Sequence, residues 1–95
     1  MDRITDKMLE GRALRLNKLT GSPLTYARVD DNGRRIINVG HFHIDYAYGG
    51  VQLVRTCNEG GGVSTPLVAG HLKRRELWGL INAFIDGIEW QKENS

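Results

Sequence analysis

Apolar and polar residues alternate through the middle of the chain, which is the pattern of a β-strand with one buried face. One side of this strand carries Phe42, Ile44, Tyr46 and Tyr48, and the other side carries His41, His43, Asp45 and Ala47. The first side is suited to a protein core. The second side is polar, so we expect it to face solvent, a ligand or another subunit.

A second strand follows directly and completes a predicted β-hairpin. Gly49 and Gly50 are expected to form its two-residue turn, because glycine tolerates the positive φ angles that such turns need. This turn pairs Tyr48 with Val51, Tyr46 with Leu53 and Ile44 with Arg55, and it places the polar side beside Val54 and Thr56. The apolar side is then continuous across both strands.

Two segments have the 3.6-residue periodicity of amphipathic helices. The first is predicted from about Thr5, whose hydroxyl can cap the helix, to Leu19, with Gly21 after its end. Its apolar sector contains Met8, Leu9, Ala13, Leu16 and Leu19. The second helix opens with the basic run Lys73–Arg75, and its apolar sector contains Leu77, Leu80, Ile81, Phe84, Ile85 and Ile88.

A shorter hairpin is predicted before the main one. Its first strand is Leu24–Val29, and the turn residues Asp31–Gly33 then lead into a strand that begins near Arg35. Gly40 lies where the apolar residues change from odd to even positions, which predicts a β-bulge.

The complete order is α-β-β-β-β-α, with Val63–Val68 as the fourth strand. Pro66 places this strand at a sheet edge, because proline cannot donate to a strand ladder. The sequence therefore predicts an α+β fold in one domain over residues 1–95. We expect an antiparallel sheet with both helices on one face and the His/Asp side turned outward or against a partner subunit.

Composition narrows the class of protein. The 95 residues include 13 basic and 11 acidic side chains, a balance too even for a dedicated duplex-binding protein. Cys57 is the only cysteine, and a single cysteine excludes an intramolecular disulfide. We expect its thiol to be buried, which is typical of a protein in a reducing compartment. Met1–Lys7 lacks the apolar run of a secretory signal, and the chain has no membrane-span pattern, so we expect a soluble, cytoplasmic protein. Its small size makes a homodimer a further expectation.

One candidate chemistry is a transition-metal site on the polar side of the hairpin. His41, His43 and Asp45 alternate on that side, and His71 could join them in space. A bound water would then act as the nucleophile of a hydrolase. The alternatives are a solvated sheet face and a recognition surface.

A second candidate is an anion site at the start of the last helix. Lys73, Arg74 and Arg75 lie where the helix dipole is positive and acidic residues are normally preferred. A bound phosphate or carboxylate would explain these cations, with His71 and the backbone amides of Gly60–Gly62 nearby. The alternative is that the basic side chains extend over the rim of the core.

The aromatic residues of the last helix have two interpretations. Trp78 and Trp90 lie off its apolar centre, which favours rim or interface positions over base stacking. Neither Cys57 nor Ser64–Thr65 has the setting of a nucleophile. We therefore expect a non-enzymatic protein with no catalytic residue, no bound metal and no cofactor.

Several segments resemble small accessory proteins of tailed bacteriophages and prophages. These segments are Leu16–Gly21, Asn38–Gly50, Asn58–Val63, Gly70–Leu77 and Ala83–Gly87. The resemblance implies a phage-encoded protein that binds a host macromolecule in the host cytoplasm, for host takeover or counter-defence.

The residues expected to contact a partner or ligand are His41, His43, Asp45, His71, Lys73, Arg74, Arg75 and Trp78. The first alternative function is binding of a phosphate ligand, either a nucleotide signal or single-stranded nucleic acid. The second alternative is a metal-dependent hydrolase.

Overall fold

Two α-helices and five short β-strands make up the part of the chain that the computed structural model describes, residues 3–68 and 70–94. Their order is α1 (Asp6–Thr20), β1 (Ala27–Val29), β2 (Arg35–Ile37), β3 (Phe42–Ala47), β4 (Gly50–Thr56), β5 (Val63–Ser64) and α2 (Arg74–Glu93). The predicted α+β class with antiparallel strands is confirmed. The structure has one strand more than predicted, because the second predicted strand, which begins near Arg35, is divided into β2 and β3.

The ends of α1 follow the local signals in the sequence. The Thr5 hydroxyl accepts a hydrogen bond from the Met8 amide at 3.2 Å, as an N-cap does. Gly21 adopts a left-handed conformation with φ of 67° and closes the helix. The predicted start and end of this helix are therefore confirmed.

The strands form two sheets, and Gly40 lies at the boundary between them. One sheet pairs β1 with β2, and the other has the order β3-β4-β5. Gly40, with φ of 95°, donates to the Thr56 carbonyl at 2.7 Å, and the Thr56 amide donates to the His41 carbonyl at 3.0 Å. Gly40 and His41 thus lie opposite the single residue Thr56, which is the geometry of the predicted glycine bulge.

The outer predicted strands are shorter than expected. Ordered pairing begins only at Ala27 in β1, and β5 contains only Val63 and Ser64. Pro66 follows β5 and cannot donate to a ladder, so the predicted strand to Val68 ends early.

No helix in the described residues is long and apolar enough to cross a membrane.

The main hairpin has a different turn from the predicted one. Ala47 pairs with Gly50, so the turn residues are Tyr48 and Gly49, with φ values of 54° and 72°. Gly50 lies within β4, and a side chain is excluded there because a Cβ would lie 2.9 Å from the Leu72 carbonyl oxygen. The register moves by two residues, to Tyr46 opposite Val51, Ile44 opposite Leu53 and Phe42 opposite Arg55. A shift of two preserves which residues share a face.

The hydrophobic core lies between one face of the β3–β4 hairpin and the two helices. It contains Ile4, Leu9, Ala13, Leu16, Phe42, Ile44, Val51, Leu53, Leu77, Ile81 and Ile85. Four further residues of the predicted apolar pattern are partly buried and pack against this core: Met8, Leu19, Phe84 and Ile88. Three others are exposed: Tyr46 at 42%, Tyr48 at 97% and Leu80 at 41%. The first two of these lie at and next to the turn of the hairpin, and Leu80 lies beyond the edge of the buried sector of α2.

The two helices run parallel, with their N-termini at the same end of the molecule. Near this end Arg74 contacts Asp6, and farther along Arg15 Nη2 lies 3.9 Å from Glu89 Oε2. At the opposite end the Lys92 ammonium donates to the Leu19 carbonyl. The positive ends of both helix dipoles therefore lie together.

Candidate functional site

The polar side of the hairpin is covered by the chain itself at the end away from the turn. His41 is 8% exposed, and Val54 and Thr56 are each 1% exposed. The Tyr26 ring packs edge-on against His41 and His43, with ring centroids 6.4 and 5.4 Å apart. The expectation that this side faces solvent or a partner subunit is therefore wrong at His41, because the segment before β1 lies across it.

Asn17 joins α1 to the outer edge of β3. Its Oδ1 accepts from the Phe42 amide at 2.8 Å, and its Nδ2 donates to the Phe42 carbonyl at 3.0 Å. Nearby, His41 Nδ1 donates to the Pro23 carbonyl at 2.8 Å, since a carbonyl can only accept. Asn17 is 1% exposed, so it acts as a buried substitute for a neighbouring strand and protects this part of the sheet edge.

Two buried side-chain atoms near this side have no hydrogen-bonding partner within the described residues. They are His43 Nδ1 and Thr56 Oγ1. Burial lowers the pKa of His43 below its ordinary value, the neighbouring His41 lowers it further, and Asp45 acts in the opposite direction. The setting of His43 therefore disfavours its protonated form.

Asp45 and His71 form a separate pair at the other end of the strand. The Nε2 of His71 donates to Asp45 Oδ2 at 2.8 Å, and the Tyr48 ring packs edge-on against His71 with centroids 5.7 Å apart. Two backbone hydrogen bonds between Val51 and Leu72, of 2.9 and 2.7 Å, hold the His71 segment against β4. This pair therefore ties the segment before α2 to the sheet.

The four residues of the metal hypothesis thus form two pairs. His41 stacks on His43 with centroids 5.5 Å apart, while Asp45 contacts His71. Within residues 3–68 and 70–94, no group of three or more His, Cys, Asp or Glu side chains is arranged to hold a metal ion. The proposed four-residue cluster does not form in this arrangement.

Arg74 and Arg75, but not the predicted Lys73, border a cleft between the two helix N-termini. The cleft has a volume of about 680 Å³ and is lined by Arg3, Ile4, Thr5, Asp6, Arg74 and Arg75. Two residues of the predicted anion site, Arg74 and Arg75, are therefore brought together with a third arginine. We call this feature the helix-end cleft.

Part of the charge in the helix-end cleft is already paired. Arg74 Nε lies 2.5 Å from Asp6 Oδ1, and this hydrogen bond raises the pKa of Arg74. At the start of α2, the Glu76 carboxylate accepts from the Lys73 amide at 3.2 Å. Arg3 and Arg75 add positive charge to the positive ends of two helices, so the cleft favours an anionic group.

Tyr46 of β3 contacts α1 near the helix-end cleft. Its hydroxyl donates to the Glu10 carboxylate. Burial and this hydrogen bond together raise the pKa of Tyr46 well above its ordinary value, so the phenol stays protonated. Tyr46 therefore acts as a hydrogen-bond donor between β3 and α1.

The glycine loop lies away from the helix-end cleft. The Cys57 amide donates to the Gly62 carbonyl at 2.8 Å, and the Gly62 amide donates to Asn58 Oδ1 at 2.9 Å. A Cβ at Gly61 would lie 3.3 Å from the Tyr26 hydroxyl, so this loop borders the Tyr26 side of the molecule. The expected contribution of the loop to the anion site is wrong.

Three other predicted features have different settings. His71 faces Asp45 instead of the helix-end cleft. Trp78 packs against the core and is partly buried, while Trp90 is 63% exposed. Cys57 is exposed, so the expectation of a buried thiol is wrong.

The sequence interpretation did not include Arg3, Asp6 or Asn17 in the site. A helix N-cap at Thr5 was recognised, and an arginine two residues before it could have been included on that signal. The parallel arrangement of the helices has no local signal, so the meeting of Asp6 with Arg74 is a tertiary result. Comparison with protein-family models, curated proteins and solved structures finds no match for the chain.

Proposed function

We propose that the protein is a non-enzymatic accessory protein that binds an anionic group of a host macromolecule in the helix-end cleft. The observation that carries this proposal is the meeting of two parallel helix N-termini with Arg3, Arg74 and Arg75. Basic residues at the start of a single helix can be explained without a ligand, since long side chains often extend over the rim of a core. Two helix starts that share one cleft with three arginines favour an anion more strongly.

Phosphate and carboxylate are the chemical groups that suit this cleft. Arginine presents several N–H donors in a plane and can bind two oxygens of either group at once. Arg74 already binds Asp6, which shows that a carboxylate oxygen fits beside this guanidinium. A ligand would add oxygens that reach Arg3.

The resemblance to phage and prophage accessory proteins supports a host macromolecule as the source of the anionic group. Host takeover or counter-defence by a binding protein would take place in the host cytoplasm. The chain has a formal net charge of +2, so the local charge of the cleft must supply the attraction. Binding is therefore expected to weaken as salt screens these charges.

Arginine substitutions in the cleft provide the direct test. We expect Arg3→Gln to weaken binding of an anionic partner about tenfold, because one charge-assisted hydrogen bond contributes roughly 1.5 to 3 kcal/mol. Arg34→Gln removes the same charge from the exposed β1–β2 turn and serves as the matched control. Both variants would be used as bait in capture from host lysate and compared with the unmodified protein.

A partner that is retained by Arg34→Gln and lost by Arg3→Gln supports the proposal. Equal retention by all three baits contradicts it, as does binding that does not change with salt.

The alternative function, binding of a phosphate ligand, can be tested at the same cleft. Thermal-shift measurements would use inorganic phosphate, a mononucleotide and a single-stranded oligonucleotide, because a ligand that binds only the folded state raises its melting temperature. A rise with the mononucleotide that Arg3→Gln abolishes would favour a nucleotide signal. A rise that grows with oligonucleotide length would favour nucleic acid, and no rise with any of the three would remove this alternative.

A further inference from the structure

The outer edge of β3 is one edge of the three-stranded sheet. The strand order β3-β4-β5 gives β3 a neighbouring strand on one side only. On its other side, the Phe42 amide and carbonyl both bond to the Asn17 side chain, so these two backbone groups point away from β4. Backbone groups point alternately to the two sides along an antiparallel strand. Those of Ile44 and Tyr46 therefore also point to the outer edge.

Asn17 protects this edge at Phe42 but not farther along β3. Among the residues that the structure describes, no hydrogen bond joins the backbone of Ile44 or Tyr46 to a group outside the β3–β4 hairpin. A row of unpaired N–H and C=O groups on an edge strand is a template for another extended chain, and most proteins block such edges. The part of β3 at Ile44 and Tyr46, which we call the open edge, lacks this protection.

A small groove lies between α1 and the open edge. Its volume is about 130 Å³, and His43 and Ile44 line it on the side of β3. Leu14 and Leu24 also line it, and they are 42% and 52% exposed. At ~30 Å³ for each molecule of liquid water, the groove is large enough for a single apolar side chain. It therefore suits one side chain of a segment that lies along the edge.

We propose that an extended segment of a partner protein adds to the open edge as an antiparallel strand. One residue of the segment exchanges two hydrogen bonds with Ile44, and a second residue exchanges two with Tyr46. These bonds satisfy the unpaired backbone groups of both residues. In this mode of recognition the main-chain hydrogen bonds provide affinity, and alternate side chains provide specificity.

Asp45 and the groove favour particular side chains in the bound segment. The residue between the two hydrogen-bonded residues lies opposite Asp45, whose side chain is 48% exposed and accepts from His71 Nε2. A basic side chain there forms a cross-strand pair of opposite charge. The two flanking side chains point to the side of α1, where Leu14 and the groove favour apolar groups. The expected pattern is apolar, basic, apolar.

A second copy of the chain fits the open edge less well than such a segment. Two copies of β3 that pair through Ile44 and Tyr46 place each Asp45 opposite the other. Like charges in this position are destabilising. A register shift of two residues uses either Phe42, whose groups are bonded to α1, or Tyr48, which lies in the turn. The occupant is therefore a different protein.

Amide hydrogen exchange, measured by NMR for each residue, tests the proposed hydrogen bonds. The probe is a short peptide of alternating valine and lysine with blocked ends. In the free protein the amides of Ile44 and Tyr46 should exchange faster than those of His43 and Asp45, which bond to β4. Saturating peptide should slow exchange at Ile44 and Tyr46 at least about tenfold, but not at Phe42, which already bonds to α1.

Three results of this experiment would overturn the proposal. The first is that the peptide does not bind, and the second is that it binds without slowing exchange at Ile44 and Tyr46. The third is slow exchange at both amides that appears without peptide as the protein concentration rises. That result would assign the open edge to a second copy of the chain.

N-methylated peptides separate strand pairing from contact between side chains. Methylation of the two valine nitrogens that face β3 removes their N–H donors and keeps the charge and the side chains. We expect binding to weaken at least about tenfold, because two amide hydrogen bonds are lost. Methylation of the central lysine nitrogen, whose N–H points away from β3, is the matched control. Equal weakening by both modifications contradicts the proposed pairing.

Asp45→Asn tests the charge opposite the central residue. Asparagine keeps an oxygen that can accept from His71, and removal of the charge should weaken the lysine peptide about threefold. A peptide with glutamine in place of the central lysine should bind both proteins equally. Asp31→Asn, at an exposed position in the β1–β2 turn, is the matched control. An equal loss in the two variants would overturn the assigned position of Asp45.

The open edge and the helix-end cleft can be tested separately. Arg3→Gln changes the cleft and should leave binding of the valine–lysine peptide unchanged. Asp45→Asn changes the open edge and should leave binding of inorganic phosphate unchanged. Strand addition can therefore be correct when the anion proposal fails, and the reverse also holds.

Discussion

Both faces of the β3–β4 hairpin have buried residues at the end away from the turn, but different interactions cover them. On the core face Val51 is 0% and Leu53 is 2% exposed, and both contact apolar side chains of the helices. On the reverse face Val54 and Thr56 are each 1% exposed, yet the neighbouring groups are imidazoles, a phenol ring and backbone carbonyls. Apolar contact is nondirectional, whereas polar coverage depends on individual hydrogen bonds.

The largest effect should come from the core face. We expect Leu53→Ala to lower the free energy of unfolding by about 3 kcal/mol, because it removes buried methyl groups and leaves a cavity. Leu24→Ala is the control, since Leu24 is 52% exposed. Urea denaturation of the two variants gives the comparison, and equal losses would show that the core face is not packed as described.

Asn17 provides the next largest effect, and it tests whether hydrogen bonds can be as important as apolar packing. Asn17→Ala should lower the free energy of unfolding by about 2 kcal/mol, because it leaves the Phe42 amide and carbonyl without their partner. Asn82→Ala, at a partly buried position of α2, is a matched control and should have little effect. If the two losses are the same, the Asn17 hydrogen bonds do not protect the strand edge.

Thr56 should respond in the opposite direction. Thr56→Val keeps the shape of the side chain and removes Oγ1, which has no partner in the described residues, so stability should rise by about 1 kcal/mol. Thr20→Val is the contrasting variant, because the Thr20 hydroxyl donates to the Leu16 carbonyl at 2.8 Å. A loss of stability in Thr56→Val would show that Oγ1 makes a hydrogen bond in solution.

The smallest effect is a pH dependence on the reverse face. The pKa of His43 is lowered in the folded protein, so the unfolded chain takes up a proton first as the pH falls. Stability from His43 should therefore be complete above the unfolded pKa of about 6.5 and decrease as the pH falls toward the folded pKa. Denaturation of the unmodified protein and His43→Gln between neutral and mildly acidic pH measures it, and parallel curves would exclude this role.

The comparison explains which parts of the hairpin could be predicted from sequence. Alternation identified Phe42, Ile44 and Leu53 as core residues, because a buried apolar face leaves a local pattern with a period of two. The same alternation identified His41 and His43 as neighbours on the other face. It could not show that Tyr26 covers them, because their polarity is compatible with both solvent and a hydrogen-bonded interior.

The turn shows the same limit on a smaller scale. Gly49–Gly50 has the composition of a favoured hairpin turn, and by local rules it was the better choice. The turn forms instead at Tyr48 and Gly49 because the backbone of His71 and Leu72 packs directly on Gly50. A distant segment therefore decided between two registers that bury the same residues.

The sequence alone determined the two helices, the caps of α1, the bulge at Gly40 and the choice of core face. All of these depend on residues close together in the chain, through dihedral preference, capping and the periodicity of apolar residues. Only the tertiary structure decided that α1 and α2 lie parallel, that Arg3 joins Arg74 and Arg75 in one cleft, and that Leu80 lies outside the core. These results depend on how separate elements pack against one another. The local sequence pattern is compatible with several such arrangements and does not select one of them.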